Sequence, residues 1–376
     1  MSTGFEGMRI LVLGPVPPPH GGMANQTLQL ADLLRREAAS VELLETNAPY
    51  RPWWIERIPL LRAGFRFVPY LRRVWGAAGR ADVVHVMANS GWAWHLCAAP
   101  AIWIATLRRV AVVVNYRGGG AGDFFRQSMT WIRPTLARCS AIVVPSPFLE
   151  RVFGEYRFRA VVIPNIVDLN RFAPTDDSRT TPGLSTAVPH LVVARNLEPI
   201  YDVGTALRAF RIVRQTVPGA RLSIAGSGMA RPSLEALARE LEIEDAVVFT
   251  GRVENEQMAA LYRQADLVLN PSLVDNMPIS ILEALASGVP VVSTDVGGIP
   301  DLVGDGVTAT LVSPQDPVAM AHAALDLLTD SDRRSNQIRA GLDRVRQFTW
   351  EHVRSGLLAT YVEAIERDTT PRRRRR

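Results

Sequence analysis

The residues of this chain best suited to chemistry lie in glycine-rich loops and short acidic turns placed where apolar runs end. Gly14 to Ala24 (GPVPPPHGGMA) follows the apolar run Arg9–Leu13 and leads into Met23–Arg36, which has helical spacing. Gly21 and Gly22 let the backbone approach a ligand, and a helix N-terminus offers unpaired N–H groups to an anion. The loop has neither a Gly-Lys-Ser/Thr ending nor GxGxxG, and an ordinary strand–helix turn would carry the same residues. A second loop, Asn115-Tyr116-Arg117-Gly118-Gly119-Gly120, closes the apolar run Val110–Tyr116. Arg117 there is a planar, multi-donor cation at a strand's carboxyl end, where open α/β sheets gather ligand groups. A solvated arginine on a mobile loop is the competing reading.

The third segment runs from Pro271 to Val292. The strand-like Leu267–Asn270 delivers the chain to a loop bearing Asp275, a helix starts near Pro278, and Glu283 follows inside it. A helix N-terminus suits a diphosphate, and a carboxylate one turn further in can accept from ribose hydroxyls. Surface acids on a plain strand–helix unit would look alike.

These loops need a scaffold of alternating elements. Arg9–Leu13, Val41–Glu45, Asp82–Met87, Val110–Tyr116, Ala141–Pro145 and Val161–Pro164 read as strands. Several are nearly continuous Val/Ile runs, the pattern of strands buried on both faces. Leu191–Ala194, Arg221–Ala225, Ala246–Thr250, Leu267–Asn270, Val289–Ser293 and Thr310–Val312 begin a second series after the Pro/Ser/Thr/Asp-rich stretch 173–189. Helical patterns lie between them at Thr205–Val217, Ser233–Leu241, Glu256–Gln264, Ile279–Ala286 and Pro317–Leu328. The expected fold is α/β: two Rossmann-like domains, 1–172 and 190–349, with parallel sheets and a shared cleft, joined by the linker 173–189. A helix at 350–368 is expected to return towards the first domain, followed by a basic disordered tail at 369–376.

Composition narrows the chemistry. The chain has 376 residues, and all 42 of its basic residues are arginine, so no reaction that needs a lysine amine is open to it. Residues 1–172 hold 20 Arg against 11 Asp and Glu, residues 173–371 hold 17 against 26, and Arg372–Arg376 add five more. Those blocks carry +9, −9 and +5. Cys97 and Cys139, the two cysteines, allow neither a disulfide framework nor a four-cysteine zinc site and read as buried free thiols. The uncharged run Val83–Leu107 reads as a strand, a loop and a buried helix (Trp92–Leu107), because Asn89, Ser90, Gly91 and Pro100 interrupt it. Without a secretory leader pattern at its start, the chain is expected to be cytoplasmic.

The ordered set of motifs resembles the family 4 glycosyltransferases, which have the GT-B fold. Asp275-x7-Glu283 followed by Ala-Leu-Ala-Ser-Gly-Val-Pro-Val-Val is similar to that family's E-x7-E element and its continuation. Val162-Ile163-Pro164-Asn165-Ile166-Val167-Asp168 with Phe172 resembles its interdomain signature, and Gly21-Gly22 its phosphate loop. Ala225-Gly226-Ser227-Gly228, Phe249–Val253 and Val296-Gly297-Gly298 fall in the family's order. The resemblance implies retaining transfer of a sugar from a UDP- or GDP-sugar, with no metal and no cofactor. It implies that Arg195, Gly21, Gly22 and Gly226 surround the diphosphate, that Glu283 holds the ribose and that Val253 packs on the base. Asp275 would meet the sugar beside the backbone amides of Asn276, Met277, Pro278 and Ile279 (Pro278 itself having no N–H). Three departures stand out: the phosphate-binding lysine is absent after Arg195, the first carboxylate is Asp275 rather than Glu, and Arg117-Gly118 replaces a His-Gly. Arg117 is expected to compensate for the absent cation.

The acceptor side is expected to be amphipathic. Tyr50–Arg80 holds seven arginines and one acid among aromatics, with Trp53, Trp54, Arg57, Arg62, Arg66, Arg72 and Arg73 as the residues expected to meet a lipid-linked acceptor or an anionic membrane. Solvated arginines on helices packed against the sheet are the alternative. No nucleic-acid motif accompanies the segment. Two other classes stay open at this stage: a catalytically degenerate homologue acting as a nucleotide-sugar or membrane scaffold, and a two-domain sugar-nucleotide epimerase.

Overall fold

The computed structural model describes residues 4–18, 21–47, 59–174 and 188–369, with side chains in the helix that opens at Pro59 described from Phe67 onward. It divides into two compact units, Met1–Pro164 with Val353–Arg376, and Asn165–His352. The first unit thus ends at Pro164 rather than at residue 172. The intervening residues belong to the second unit because their contacts lie there: the Val167 amide donates to the Phe348 carbonyl at 2.9 Å, and Phe172 packs edge-on against Tyr262.

In the first unit the order is β1 (Arg9–Gly14), α1 (Gly22–Arg36), β2 (Ser40–Glu45), α2 (Pro59–Ala78) and β3 (Val83–Ala88). A π-helical turn, Trp94–Ala98, then leads into α3 (Ala99–Leu107). β4 (Ala111–Tyr116), α4 (Ala121–Leu136), β5 (Ala141–Val144), α5 (Pro147–Glu155) and β6 (Val161–Val162) complete the series. The strands are parallel, in the order β2-β1-β3-β4-β5-β6. Central strands β3 (VVHVMA) and β4 (AVVVNY) are buried at every residue, whereas in edge strand β2 only Leu44 is, which explains why the central runs are Val-rich and carry no Asp, Glu or Arg. From β1 the chain steps to β2 on one side and then to β3 on the other, so the Gly14–Gly22 loop leaves the sheet at the switch point. Tyr116, Phe125 and Phe153 form the aromatic centre of this core, with Phe125 and Phe153 centroids 4.8 Å apart. Burying a ring of this size contributes about 1.5–3 kcal/mol.

The second unit contains β7 (His190–Ala194), the 3-10 turn Pro199–Tyr201, α6 (Val203–Thr216), β8 (Arg221–Ala225), α7 (Arg231–Glu240) and β9 (Val247–Gly251). α8 (Asn255–Gln264), β10 (Leu267–Asn270), α9 (Ile279–Ala286), β11 (Val291–Thr294), α10 (Ile299–Leu302), β12 (Thr310–Val312), α11 (Pro317–Thr329) and α12 (Ser331–Val345) follow. Its parallel strands run β12-β11-β10-β7-β8-β9, so the order reverses between β7 and β10. In doubly wound sheets such a reversal opens a crevice at the strands' carboxyl ends.

The last helix, α13 (Trp350–Thr369), joins the first unit from Val353 onward. Val353, Leu357, Tyr361 and Ala364 recur at helical spacing and are all buried. Arg354 pairs with Glu37 at 2.7 Å, and Arg367 donates to the Ser140 carbonyl at 3.2 Å.

Two expectations need correction. The stretch Trp92–Leu107 is not a buried helix: Trp94, Ala98, Ala101, Ile102 and Ala105 face the core, while Trp92, Leu96, Trp103 and Leu107 are exposed. A helix packed on one side of a sheet can bury only one face, even when all its residues are apolar. Cys97 and Cys139 are free thiols but only half-buried. Most of the linker (175–187) and the arginine tail lie outside the described residues. Among the described residues, no helix is long and apolar enough to cross a membrane.

Candidate functional site

In the second unit the site is built across the strand-order reversal. Arg195 leaves β7 and Ser272 lies just beyond β10, two neighbouring strands whose ends are far apart in sequence. The Arg195 guanidinium donates to Ser272 Oγ from Nε at 3.1 Å and from Nη2 at 2.8 Å, and from Nη1 to Ser280 Oγ at 3.4 Å. It is ion-paired with Asp275, and both side chains are nearly buried. Its face lies over the Tyr201 ring, 4.4 Å from the centroid, a cation–π contact. Burial pushes Arg195 down to about 10, which still leaves it cationic at neutral pH.

Polar residues behind Ser272 hold it in turn. Ser272 Oγ donates to Asn270 Oδ1 at 3.2 Å, Asn270 Nδ2 donates to Ser293 Oγ at 2.8 Å, and Thr294 Oγ1 donates to the Ser272 carbonyl at 2.6 Å. These groups are buried, so each must be hydrogen-bonded or incur a desolvation cost, and the network fixes the arginine's direction.

Backbone geometry brings the glycine turns against the same residues. The Arg195 amide donates to the Ala225 carbonyl at 3.0 Å, and Gly226 has φ +155° with the site of a Cβ 1.9 Å from the Arg195 carbonyl oxygen. Gly297, at φ +56°, comes equally close to the Asp275 carbonyl oxygen, and the Gly298 amide donates to that oxygen at 3.0 Å. Only glycine fits at either position.

Asp275 Oδ1 accepts from the Asn276 amide at 2.8 Å. That amide is therefore committed within its own turn, although it was expected to face the sugar. Pro278 caps α9 in an extended conformation, so the helix opens at Ile279. Met277 is held from outside: Asn165 Nδ2 donates to its carbonyl at 2.7 Å. Glu283, inside α9, lies 3.4 Å from the Tyr262 hydroxyl. Burial pushes its carboxyl up to about 8, against the opposing pull of the Tyr262 hydrogen bond and of Arg171. Val253 is half-buried on the segment after β9, tied to Gly226 through the bond from the Gly226 amide to the Gly251 carbonyl at 2.8 Å.

The structure thus brings Arg195, Asp275 and Gly226 together and sets Met277 and Glu283 on the adjoining loop and helix. Ser272, Ser280, Asn270 and Tyr201 were not foreseen. A faint signal existed, since Asn270, Ser293 and Thr294 are polar residues ending otherwise apolar strands.

In the first unit, Arg117 follows β4 and its amide donates to the Ala88 carbonyl at 2.9 Å. Gly118 is packed so tightly that a Cβ would lie 2.5 Å from Asn89 Oδ1. Burial pushes Arg117 down to about 10. In the loop after β1, Asn47 accepts from the Val16 amide and donates to the Val16 and Pro18 carbonyls. A Cβ on Gly21 would meet nothing within 4 Å, so the fold itself does not demand that glycine.

Of the residues expected to meet lipid, Trp53, Trp54 and Arg57 lie outside the described residues, as do the side chains of Arg62 and Arg66. Arg72 and Arg73 are exposed on α2 while Tyr70 and Val74 of the same helix are buried. The exposed apolar face extends further than the sequence indicated. Arg108 lies over Trp75, joining α3 to α2. Trp103 Nε1 donates to Thr135 Oγ1 at 3.0 Å with Arg138 over its ring, joining α3 to α4, where Trp131 is exposed.

Doubly wound parallel sheets in both halves of one chain, each with ligand-type loops at a switch point, define a GT-B glycosyltransferase architecture. A family model for Glycosyltransferase Family 4 matches residues 20–171, and one for Glycosyl transferases group 1 matches residues 188–330. The chain belongs to the family 4, group 1 glycosyltransferases. It is similar to the D-inositol 3-phosphate glycosyltransferase of Nocardia farcinica, 33% identical over 226 residues, or 58% of this chain and 50% of that protein. The protein of the same name from Mycolicibacterium smegmatis is 36% identical over 217 residues, 56% of this chain and 48% of that one. The chain spans about half the length of these curated relatives. Among solved structures, sucrose-phosphate synthase from Thermosynechococcus elongatus has a TM-score of 0.74 at 20% identity, covering 96% of this chain and 100% of that one. Anabaena HepE, solved in complex with UDP-glucose, has a TM-score of 0.72 at 18% identity, covering 94% and 99%.

Proposed function

We propose that this protein is a retaining, metal-independent glycosyltransferase that moves a sugar from a UDP- or GDP-sugar to a hydroxyl of a lipid-linked or membrane-held glycan intermediate. The observation that carries this reading is Arg195, held at the β7/β10 reversal by Ser272 and Ser280. Charge accumulates on the leaving diphosphate as the glycosidic bond breaks, and a cation fixed in place beforehand stabilises it without reorganising. In this reading Gly21, Gly22 and Gly226 give the diphosphate room, Glu283 holds the ribose, and Val253 packs on the base. Asp275 meets the sugar once the diphosphate has taken its place on Arg195. Arg117 supplies the second positive charge that a lysine would otherwise provide. The leaving phosphate oxygen takes the acceptor's proton, so the protein needs no nucleophile of its own.

The test is donor-dependent release of UDP or GDP across a panel of nucleotide-sugars, with and without acceptor and with EDTA present. Arg195→Ala should lower kcat/KM by about 100-fold or more, as loss of a transition-state donor does elsewhere. Release from no donor would overturn the reading, and loss of activity in EDTA would overturn its metal-independent part.

The membrane part rests on the exposed α2–α4 face. Among the described side chains between residues 59 and 138, Arg72, Arg73, Arg80, Arg108, Arg109, Arg126 and Arg133 are exposed against two acids, Asp82 and Asp123, with Trp75, Trp92, Trp103 and Trp131 exposed among them. Tryptophan beside arginine suits the headgroup layer of an anionic bilayer. In this reading the protein works in the cytoplasm, on the inner face of the cell membrane. The relatives' printed name also points to a phosphate-bearing acceptor, which the same arginines would attract. Flotation with anionic vesicles but not with neutral ones is expected, and failure to float with both would end this part.

A further inference from the structure

Arg117, which the proposed function takes as the second positive charge at the donor diphosphate, is connected to the far end of the chain. Its Nε donates to Asn115 Oδ1 at 3.2 Å, Asn115 Nδ2 lies 3.2 Å from His85 Nε2, and His85 Nδ1 lies 2.8 Å from the Tyr361 hydroxyl. Asn115, His85 and Tyr361 are buried, on β4, β3 and α13 respectively. The direction of donation follows from one end. A guanidinium only donates, so the Asn115 oxygen must point at Arg117 and its NH2 at His85. His85 Nε2 must then accept, which puts the imidazole proton on Nδ1 and makes it the donor to Tyr361. One tautomer satisfies the chain, and a second proton on Nε2 would collide with the Asn115 NH2. The downward push on His85, from burial and then from the Arg117 charge, agrees with an imidazole held neutral.

We propose that Asn115, His85 and Tyr361 are positioning residues that fix the Arg117 guanidinium, so that the C-terminal helix completes the catalytic side of the first unit. None of the three needs to touch substrate. Each removes a freedom from the next: Tyr361 fixes the ring, the ring fixes the amide, and the amide fixes the arginine's Nε–H. A guanidinium displaced by an ångström loses most of its effect on a developing charge.

The proposal is tested in the full chain with Tyr361→Phe, His85→Leu and His85→Gln. The glutamine amide can accept from Asn115 and donate to Tyr361, as the imidazole does. Assayed well below each variant's own Tm, His85→Leu and Tyr361→Phe should lower kcat about tenfold or more while donor KM stays within about twofold, and His85→Gln should recover most of the loss. Wild-type kcat in both folded disruptive variants would overturn the relay, as would a glutamine variant no better than leucine. Nitrogen NMR gives a reading independent of turnover. His85 should show the Nδ1–H tautomer from pH 5 to 8, and the Arg117 Nε–H resonance should move in Tyr361→Phe. An Nε2–H tautomer, or an unmoved arginine signal, would overturn the relay even if the wild type transfers no sugar. Absence of transfer with an intact NMR signature would instead count against the proposed function alone.

Discussion

Asn165 donates through Nδ2 to the Met277 carbonyl at 2.7 Å, while its own amide lies 3.2 Å from the Met277 sulfur. A residue at the start of the second unit thereby clamps the loop that leads into α9. Both partners are buried, so removing the side chain leaves a carbonyl without a donor in a place water does not readily reach. Asn165→Ala should cost about 1–3 kcal/mol of stability and weaken nucleotide-sugar binding. Urea unfolding and calorimetric titration read the two effects, and unchanged values in both would show that the clamp is dispensable.

The two kinds of glycine should behave differently. Gly226→Ala drives a methyl group into the Arg195 carbonyl and should destabilise the second unit by about 3 kcal/mol or prevent its folding. Gly21→Ala enters open space at an extended φ of 179° and should leave the thermal midpoint where it is. If a donor phosphate approaches that backbone, donor affinity should nevertheless fall, and a thermal-shift titration separates the two effects.

Glu283 predicts a pH dependence of stability. Its carboxyl is raised to about 8 in the fold, above the usual 4.5, so between those values the native state holds a proton that the unfolded chain has released. Stability should therefore be greatest below about pH 4.5 as far as this group is concerned, and decline as pH rises towards 8. Glu283→Gln should remove the decline. At pH 8 its thermal midpoint should exceed that of the wild type by at least about 2–4 °C, the shift that 1 kcal/mol produces in a unit of this size, and the gap should close near pH 5. A constant offset at both pH values would contradict the assignment.

His85 works in the opposite direction. Its folded pKa is depressed to about 3, so below about 6.5 the unfolded chain binds a proton that the native imidazole refuses. The first unit should lose about 1.4 kcal/mol per pH unit below that point from this residue. Between pH 7 and 5 the wild type should lose about 2 kcal/mol more than His85→Gln does. Equal losses in urea unfolding would place the acid sensitivity elsewhere.

Much of the fold was legible because parallel strands buried on both faces leave a plain mark: Val83–Ala88 and Ala111–Tyr116 could hardly be anything else. α12 left no such mark, since Arg334, Ser335 and Gln337 are among the residues it buries. Arg195, Asp275 and Glu283 could be singled out from motif order. Ser272 and Ser280 could not, because a lone serine gains meaning only when β7 and β10 become neighbours. His85 and Tyr361 are 276 residues apart, and no local periodicity relates them. Trp92 and Trp103 were misread for a related reason: an uncharged stretch reveals that a helix is apolar but not how much of it the sheet will cover.

The ion pair between Arg195 and Asp275 bears on turnover as well as on binding. In the proposed reading a nucleotide-sugar has to outcompete an anion already in place, which would disfavour weakly charged intruders and select for the dense charge of a diphosphate. After transfer, the same carboxylate would be on hand to reclaim the arginine and hasten departure of the spent nucleotide. Asp275 would then act as a built-in counter-ligand, trading some affinity at the start of the cycle for speed at its end.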